Sequence, residues 1–278
     1  MIVKEIIVKD YLSKSKLGEY TINPYVGCSH KCRYCYACFM KRFTNHKEEW
    51  GEFVDVKFCD KPIDTRKIEG KNVFIASVTD CYNPLESKYK ITRGILEQLV
   101  GVNCRLQIAT KSKLILRDLD LLKQMPNLSV ALSLNTLDER FRKDMDRASS
   151  IKGRLETLKT LYENGIWTIL FLSPIFIGIT QWKEIIESTK HYIKEYWFED
   201  LNLRGAYKYD ILAYIQKNYP NLYTMYERIY LKNDRLELIE MDNAIKTYCD
   251  KNAINYCDYF HHEEVINNGD NKKLGKRK

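Results

Sequence analysis

The sequence predicts an α/β protein built on a parallel sheet, and two observations support that prediction. From residue 73 onward, short apolar runs with strand character alternate with segments whose apolar residues recur every three or four positions. This alternation favours a parallel sheet, because each crossover helix must bury its apolar face on that sheet. From residue 207 onward the pattern is mostly helical. We therefore expect a core over residues 1–206 and a helical C-terminal extension over residues 207–278.

Six strands are predicted, and six strand–helix units favour a partial (β/α)6 barrel of parallel strands over a closed barrel of eight. An open, doubly wound sheet is the alternative. Residues 53–70 fit neither a strand nor a helix and are interpreted as an insertion. The predicted strands cover residues 21–25, 73–78, 106–109, 128–134, 166–173 and 201–203.

Several helix boundaries are also predicted. Ile91, Ile95 and Leu99 have the spacing of one helix face. Ser112 is placed to cap the helix that follows the strand at residues 106–109. The helix that begins near residue 151 is expected to end at Asn164-Gly165, a typical C-terminal signal.

Composition and charge indicate a cytoplasmic protein without a membrane partner. The segment MIVKEIIVKD mixes charges among its apolar residues and does not resemble a signal peptide. The longest apolar stretch, residues 165–180, is too short to span a membrane and contains Pro174. The formal charge is +8, but residues 272–278 carry five of these charges. We interpret this basic tail as a solvated end rather than a nucleic-acid arm.

Three of the nine cysteines, Cys28, Cys32 and Cys35, lie in one short loop at residues 26–38. In the cytoplasm, cysteines are expected to be free thiols or metal ligands. Three such closely spaced thiolates suit zinc or an iron–sulfur cluster. With Cys38 as a fourth ligand the site would be a closed zinc site. Without it, a cluster on three thiolates leaves one iron open, and the spacing alone allows both.

The segment NPYVGCSHKCRYCYA, which begins at Asn23, resembles the radical S-adenosylmethionine (SAM) superfamily and especially its spore photoproduct lyase-like branch. The signature of the superfamily is Cys-x3-Cys-x-aromatic-Cys, and Tyr34 occupies the aromatic position. Further similar motifs follow in order, namely ASVTD with NPLE, ATKS, RDLDLL, SLNT and RASS…RLETLKTL. The resemblance covers roughly residues 20–205.

The resemblance implies an enzyme with a [4Fe–4S] cluster on Cys28, Cys32 and Cys35 and with SAM on the open iron. One electron from a flavodoxin- or ferredoxin-type donor would split SAM into a 5′-deoxyadenosyl radical that abstracts hydrogen from substrate. Cys38 is then an ordinary thiol on a helix that begins near Tyr36. A nucleic acid is the first substrate candidate, and a peptide or protein is the second. The non-enzymatic alternative is a basic binding module held by zinc on all four cysteines.

Polar residues follow the predicted strands at the end where ligands bind in parallel barrels. Lys111 begins a helix, where its charge opposes the helix dipole unless an anion is bound. The resemblance implies that Lys111 and Ser133 contact the SAM carboxylate. It also places Asp80 at the amino group of SAM and Asn135 near the ribose hydroxyls, and Tyr34 is a further candidate contact. Arg204 would lie on the same rim.

A hydrogen donor is also predicted near this rim. Cys81 stands where relatives commonly have proline, and it is a candidate for returning a hydrogen atom to a substrate radical through Tyr34 or Tyr36. The alternative is a spectator thiol. Spore photoproduct lyases carry their donor cysteine slightly earlier, where this chain has Ser77. That serine argues against photoproduct repair as the reaction.

Seven tyrosines lie among lysines and arginines between residues 207 and 232. Such aromatic residues can stack nucleic-acid bases. They also suit amphipathic helices that pack against the core, and we favour packing.

Overall fold

The computed structural model describes residues 1–16, 18–203, 205 and 207–260. Arg204 and the basic tail at residues 272–278 lie outside these residues, so the expectations for them stay predictions. The strands are β1 (Ile2–Ile7), β2 (Leu12–Lys14), β3 (Tyr20–Ile22), β4 (Tyr25–Val26), β5 (Phe53–Phe58), β6 (Asn72–Ile75), β7 (Arg105–Thr110), β8 (Leu128–Ser133), β9 (Trp167–Ile175), β10 (Glu195–Asp200) and β11 (Tyr256–Asp258). The α-helices are α1 (Glu86–Tyr89), α2 (Ile91–Leu99), α3 (Leu119–Leu122), α4 (Glu139–Met145), α5 (Ile151–Glu163), α6 (Trp182–Thr189), α7 (Tyr207–Asn218), α8 (Pro220–Leu231) and α9 (Leu236–Lys251). The 3₁₀ helices are Tyr36–Phe43, Thr65–Lys67 and Lys113–Asp118.

The main sheet has the strand order β11-β10-β9-β8-β7-β6-β3-β2. Every neighbouring pair is parallel except β2 and β3. From β3 to β10 the strands stand side by side in the order in which the chain forms them, whereas a doubly wound sheet reverses its order part-way. Within the described residues, β2 and β11 are the two edges and do not pair with each other. The predicted partial barrel is therefore confirmed, and the doubly wound alternative is wrong.

One of the six predicted strands is misplaced. Residues 201–203 contain no strand, and the last barrel strand is β10, whose sequence EYWFED begins and ends with acidic residues. Its first residue, Glu195, is buried, and its carboxylate accepts a hydrogen bond from the Trp197 indole at 2.9 Å. Because the indole N–H satisfies the buried carboxylate, the strand tolerates an acidic residue in its interior. The acidic residues interrupt the apolar pattern, so the strand was not predicted.

A second, three-stranded sheet has the order β1-β5-β4. Its central strand lies within residues 53–70, which we predicted to contain neither a strand nor a helix, and that prediction is wrong. The interpretation of this segment as an insertion stays a prediction. The apolar run of β5 is interrupted by Asp55, which is buried and lies 2.7 Å from His46. Strand β4 leads directly into the cysteine loop, so this sheet stands beside the loop.

The predicted helix boundaries are largely confirmed. The Ser112 hydroxyl accepts a hydrogen bond from the Leu114 amide at 3.3 Å, although the turn that it caps is a 3₁₀ helix. Helix α5 ends at Glu163 with Asn164 as its C-cap, and Gly165 adopts the left-handed conformation, with φ of 79°, that ends many helices. No helix in the described part of the chain has the length and apolar character needed to cross a membrane.

The chain after residue 206 forms α7, α8 and α9, and β11 then returns to the main sheet beside β10. Tyr214 and Tyr226 are buried. Their hydroxyls donate to Asp144 Oδ2 at 2.8 Å and to the Ile177 carbonyl at 2.9 Å. These contacts favour the packing interpretation of the tyrosines. The division of the chain at residues 206 and 207 stays a prediction.

Candidate functional site

The cysteine loop follows β3 and β4 and passes close to β5. Gly27 has a φ of 84°, and a Cβ atom there would lie 2.3 Å from the Phe53 carbonyl oxygen. Only glycine permits both this conformation and this approach. The Thr79 hydroxyl donates to the Gly27 carbonyl at 2.6 Å. The loop is therefore held between the second sheet and the segment after β6.

The three cysteine thiols are poor acids in this environment. Burial raises the pKa of Cys28, Cys32 and Cys35. The thiols also lie within range of one another's charges, since ionised Cys32 and Cys35 each oppose the ionisation of Cys28. A metal cation would offset this cost, because thiolates bound to metal are deprotonated outright.

No group of three or more His, Cys, Asp or Glu side chains among the described residues is close enough to hold a single metal ion. All the ligands of one zinc ion converge on it at about 2.0–2.3 Å. In an iron–sulfur cluster, by contrast, each thiolate binds a different iron, so its thiols stand farther apart. The finding therefore concerns mononuclear sites and does not bear on a cluster.

Buried polar atoms without partners lie within the cysteine loop and beside Cys35. Among the described residues, the Ser29 hydroxyl, His30 Nδ1 and Trp50 Nε1 have no hydrogen-bond partner. The Trp50 indole faces Cys35, and this contact lowers the pKa of the thiol against the larger effect of burial. Unpaired buried donors are rare in folded proteins. The sulfur atoms of an iron–sulfur cluster accept such hydrogen bonds, so the residues present fit that cofactor.

The segment after β6 forms the next part of the open end of the barrel, which we call the mouth. Ala76 takes the left-handed conformation, with φ of 73°, an uncommon one for a residue with a Cβ atom. The Asn23 side chain donates to Ser77 Oγ at 2.9 Å and accepts from the Val78 amide at 3.1 Å. The Tyr36 hydroxyl donates to the Ser77 carbonyl. Hydrogen bonds therefore connect this turn to the residues before the cysteine loop and to those near its end.

Asp80 joins the cysteine loop to the end of β7. Its Oδ1 accepts from the Tyr82 amide at 2.8 Å and from the Thr110 hydroxyl at 2.7 Å. Its Oδ2 accepts from the Lys111 amide at 2.8 Å and lies 3.2 Å from His30 Nε2. Burial alone would raise the pKa of Asp80, but His30 and these hydrogen bonds lower it to about 2. The four contacts use the acceptor positions of the carboxylate.

Lys111 follows β7, and its ammonium faces the cysteine loop. Its Nζ lies 5.8 Å from the centre of the Tyr34 ring. Burial raises the pKa of the Cys32 and Cys35 thiols, and the Lys111 charge opposes that rise. Among the described residues, no carboxylate lies within 4 Å of the ammonium. In the described part of the mouth, this cation thus forms no direct ion pair with a carboxylate.

Ser133 and Asn135 lie at the end of the next strand, β8, and both are buried. The Ser133 carbonyl accepts from the fully buried Arg154 at 3.2 Å. The Asn135 amide nitrogen donates to the Pro174 carbonyl at 3.0 Å. The structure therefore places Asp80, Lys111, Ser133 and Asn135 at the carboxyl ends of adjacent parallel strands, beside the cysteine loop.

The Tyr34 hydroxyl points into the protein, while its ring lies near the Lys111 ammonium. Its hydroxyl donates to Asp146 at 3.2 Å, and its ring packs edge-on against Phe176 with a centroid distance of 5.8 Å. Asp146 also pairs with Arg154 at 2.6 Å. Arg154 lies in the RASS…RLETLKTL block, and Asp146 directly precedes that block. The motif therefore helps to hold Tyr34, and with it the cysteine loop, in position.

Cys81 is not among the residues that face the mouth. It is fully buried in the hydrophobic core beside Tyr25 and Tyr82, and the Thr92 hydroxyl donates to its carbonyl at 2.6 Å. Cys38 is half-buried on the 3₁₀ helix that begins at Tyr36. Its amide donates to the Cys35 carbonyl at 3.3 Å.

Trp50, Asp146 and Glu199 belong to the site but were not predicted. Glu199 lies near the end of β10, accepts a hydrogen bond from the Ser173 hydroxyl, and has its pKa raised by burial. The strand that carries Glu199 was misplaced, so its position at a strand end could not be recognised. Trp50 and Asp146 are distant in sequence from the cysteines that they approach, and the spacing of motifs contains no signal for them.

A family model described as the radical SAM superfamily matches residues 22–189, more than half of the chain. The chain belongs to the radical SAM superfamily. It is therefore an enzyme, and membership implies an iron–sulfur cluster, SAM and an electron donor. Membership also decides against the non-enzymatic zinc module.

The sequence relatives include archaeal and bacterial proteins. The chain is 37% identical over 236 residues to an uncharacterised protein of Methanocaldococcus jannaschii, and the match covers 84% of both chains. It is 26% identical over 254 residues to an uncharacterised protein of Mycobacterium tuberculosis, covering 84% of this chain and 74% of that one.

Solved structures of two radical SAM enzymes have a similar fold. A spore photoproduct lyase mutant with bound AdoMet and dinucleoside spore photoproduct gives a TM-score of 0.57 at 16% identity, covering 78% of this chain and 66% of the lyase. Streptococcus suis SuiB bound to SAM gives 0.54 at 14% identity, covering 92% of this chain and 50% of SuiB. At such identities the likeness concerns the fold alone.

Proposed function

We propose that this enzyme uses a [4Fe–4S] cluster on Cys28, Cys32 and Cys35 to cleave SAM reductively. When bound, the cluster and SAM supply a 5′-deoxyadenosyl radical that abstracts hydrogen from the substrate. The protein holds the two cofactors in place and keeps water away from the reacting groups. A flavodoxin or ferredoxin supplies the electron.

The observation that carries this proposal is the unpaired ammonium of Lys111 beside the cysteine loop. SAM has a carboxylate, which would supply the missing partner, and we assign to Ser133 on the next strand a second contact with that carboxylate. Asp80 already accepts four contacts. We therefore assign it a positioning role toward Lys111 and His30 in place of contact with the SAM amino group. Asn135 keeps its side-chain oxygen for the ribose hydroxyls.

Hydrogen relay is assigned to Tyr36 rather than to Cys81 or Tyr34. The Tyr36 side chain is 50% exposed, and its hydroxyl contacts the Ser77 carbonyl in the mouth. Cys81 is enclosed by the core and Tyr34 by Asp146 and Phe176. A group that exchanges hydrogen with a substrate must be able to reach it.

A nucleic acid is the first substrate candidate, because the spore photoproduct lyase with this fold was solved with a dinucleoside photoproduct. Ser77, in place of a donor cysteine, favours a reaction other than photoproduct repair. A peptide is the second candidate, since SuiB was solved with its precursor peptide SuiA. Oligonucleotides and peptides that are deuterated at known positions separate the two candidates, since only a substrate transfers deuterium to 5′-deoxyadenosine.

The role of Lys111 is tested by Lys111→Met, with Lys113→Met as the matched control on a neighbouring, exposed position. After anaerobic reconstitution with iron and sulfide, we expect Lys111→Met to keep the visible absorption of the cluster. It should bind SAM about 10- to 100-fold more weakly, because a charged hydrogen bond contributes about 1.5–3 kcal/mol. Equal SAM affinity in the two variants would remove the proposed role.

The ligand set is tested by Cys35→Ala and Cys38→Ala. Cys35→Ala should lose the cluster and release no 5′-deoxyadenosine from SAM after reduction with dithionite. Cys38→Ala should retain both, because the proposed cluster uses three protein thiolates. Loss of iron from Cys38→Ala would mean that the site is closed by a fourth cysteine and cannot bind SAM.

A further inference from the structure

An exposed aromatic and cationic surface lies directly beside the cysteine loop. It is formed by Phe39, Arg42 and Phe43 on the 3₁₀ helix Tyr36–Phe43, with Tyr36 at its edge in the mouth. Phe39 is 41% and Phe43 is 66% exposed. The Arg42 guanidinium lies 5.4 Å from the centre of the Phe39 ring and 4.7 Å from that of Phe43. We call this surface the cluster-loop patch.

The patch belongs to a strongly basic segment. Residues 28–47 contain five lysines and arginines and no aspartate or glutamate. Three of these cations pair with acidic residues elsewhere, in the pairs Lys31–Glu52, Arg33–Asp210 and Lys41–Glu49. Arg42 forms no ion pair with any described residue and is exposed. Exposed phenylalanines together with an unpaired arginine are typical of the centre of a protein–protein interface.

We propose that the cluster-loop patch is the docking surface for the acidic one-electron carrier, of the flavodoxin or ferredoxin class, that reduces the enzyme. This inference rests on the proposed function. One electron leaves the reduced carrier and enters the cluster, so the carrier is oxidised and the cluster reduced by one electron. No atom or proton needs to be transferred in that step.

The position of the patch suits electron entry. The 3₁₀ helix begins at the residue after Cys35, and Phe39 is four residues from that ligand. With a rise of about 2 Å per residue, this separation is about 8 Å along the helix axis. A carrier that covers the patch therefore contacts exposed residues that lie close to Cys35 in the sequence. Opposite charge on the carrier would steer it there and accelerate encounter.

A single-stranded nucleic acid is a poorer occupant of this surface. Base stacking needs open ring faces, but Arg42 lies over both phenylalanine rings, and Tyr36 stacks on Phe39 with a centroid distance of 6.4 Å. A base would have to displace the guanidinium or the neighbouring ring. A protein carrier can contact the exposed edges of these side chains and pair a carboxylate with Arg42 without rearranging them.

The test compares two reductants of the reconstituted enzyme, which are reduced flavodoxin and dithionite. Stopped-flow absorption gives the second-order rate of cluster reduction by flavodoxin. We expect Arg42→Glu and Phe43→Ser each to lower this rate at least about tenfold at low salt. For Arg42→Glu the difference should shrink as salt screens the charges. SAM cleavage driven by dithionite should equal that of the wild type.

Two exposed positions near the opposite end of the barrel supply matched controls, Arg66→Glu and Trp167→Ser. Both should be reduced by flavodoxin at the wild-type rate. Unchanged rates of reduction by flavodoxin in Arg42→Glu and Phe43→Ser would overturn the inference. If these variants also lost binding to a labelled single-stranded oligonucleotide, the patch would be a nucleic-acid surface instead. If the wild type fails to cleave SAM even with dithionite, the proposed function fails instead.

Discussion

Asp80 combines an ionised carboxylate with almost complete burial. Such a group is stable only when charges and hydrogen bonds replace its water, and here His30, Thr110 and two backbone amides do so. The pKa of Asp80 in the folded protein, about 2, is below its ordinary value of 3.8. Its ionised form therefore stabilises the fold above about pH 4, and this stabilisation is lost as the pH falls toward 2.

Asp80→Asn is expected to lower the free energy of unfolding at pH 7 by about 2 kcal/mol, since one pKa unit corresponds to about 1.4 kcal/mol. The difference from the wild type should narrow as the pH falls from about 4 to about 2. Urea unfolding of the protein without cofactors at several pH values measures it. Asp60→Asn, at an exposed position, is the control and should differ little from the wild type. A constant deficit for Asp80→Asn at all pH values would contradict the prediction.

Trp50→Phe is expected to make the reduction potential of the bound cluster more negative. The indole N–H faces Cys35. A hydrogen bond to a ligand sulfur stabilises the reduced cluster, which carries the greater negative charge, and phenylalanine keeps the ring but not the donor. Potentiometric titration followed by electron paramagnetic resonance gives the potential. Trp167→Phe, at an exposed tryptophan, should leave the reduction potential unchanged. Equal potentials for the wild type and both variants would exclude a hydrogen bond from Trp50 to the Cys35 sulfur.

At the scale of elements, two motifs that look like separate signals in the sequence form one buried network. Glu86 of NPLE begins α1 and is fully buried. Its carboxylate accepts from the Tyr25 hydroxyl, from the Thr92 amide at 2.9 Å and from Arg117 of RDLDLL at 2.6 Å. Arg117 also pairs with Asp118 at 2.7 Å. These contacts hold α1, α2 and β4 together behind the mouth.

Glu86→Gln is expected to lower the free energy of unfolding by about 3 kcal/mol, because it leaves the partly buried Arg117 with one partner fewer. Glu97→Gln, which removes a surface ion pair on α2, should change it by about 0.5 kcal/mol or less. Arg117→Met combined with Glu86→Gln should cost less than the sum of the two single changes. Urea unfolding gives all four values, and strict additivity would show that the two residues act independently.

Strands whose buried residues are apolar are predicted well from the sequence. Strands that contain a buried acidic residue with a partner are predicted poorly. The strand pattern at residues 73–78 and 128–134 is a clean apolar run, and β6 and β8 lie there. Strands β5 and β10 contain Asp55 and Glu195, whose partners, His46 and Trp197, could not be inferred from spacing. The cysteine loop and Lys111 follow from local motifs. The contacts of Trp50, Asp146 and Glu199 arise only when distant segments fold together.

At the scale of the whole molecule, β11 covers the edge of β10 after the chain has passed through three further helices. The Tyr196 backbone amide donates to the Asn255 carbonyl at 2.9 Å, and the Tyr259 backbone amide donates to the Phe198 carbonyl at 2.8 Å. The Tyr259 ring packs on Trp197 with a centroid distance of 5.5 Å. Without β11, a long strand with large apolar side chains would be an exposed edge.

A chain that ends at residue 254 is expected to aggregate, and one that ends at residue 260 to remain dispersed. The two differ only by the segment that contains β11, so the comparison isolates the covered edge. Light scattering at increasing protein concentration measures the difference. If both truncated chains behave alike, β11 does not protect the sheet.

Among the described residues, β2 and β11 do not pair and so do not close the main sheet into a ring, which bears on the size of the substrate that we propose. A fully closed ring of strands admits only what fits through its end. A ring with an unsealed side lets a long polymer lie across the opening, with one unit inserted and the flanking units remaining in solvent. The two substrate classes proposed above, nucleic acids and peptides, are polymers of this kind.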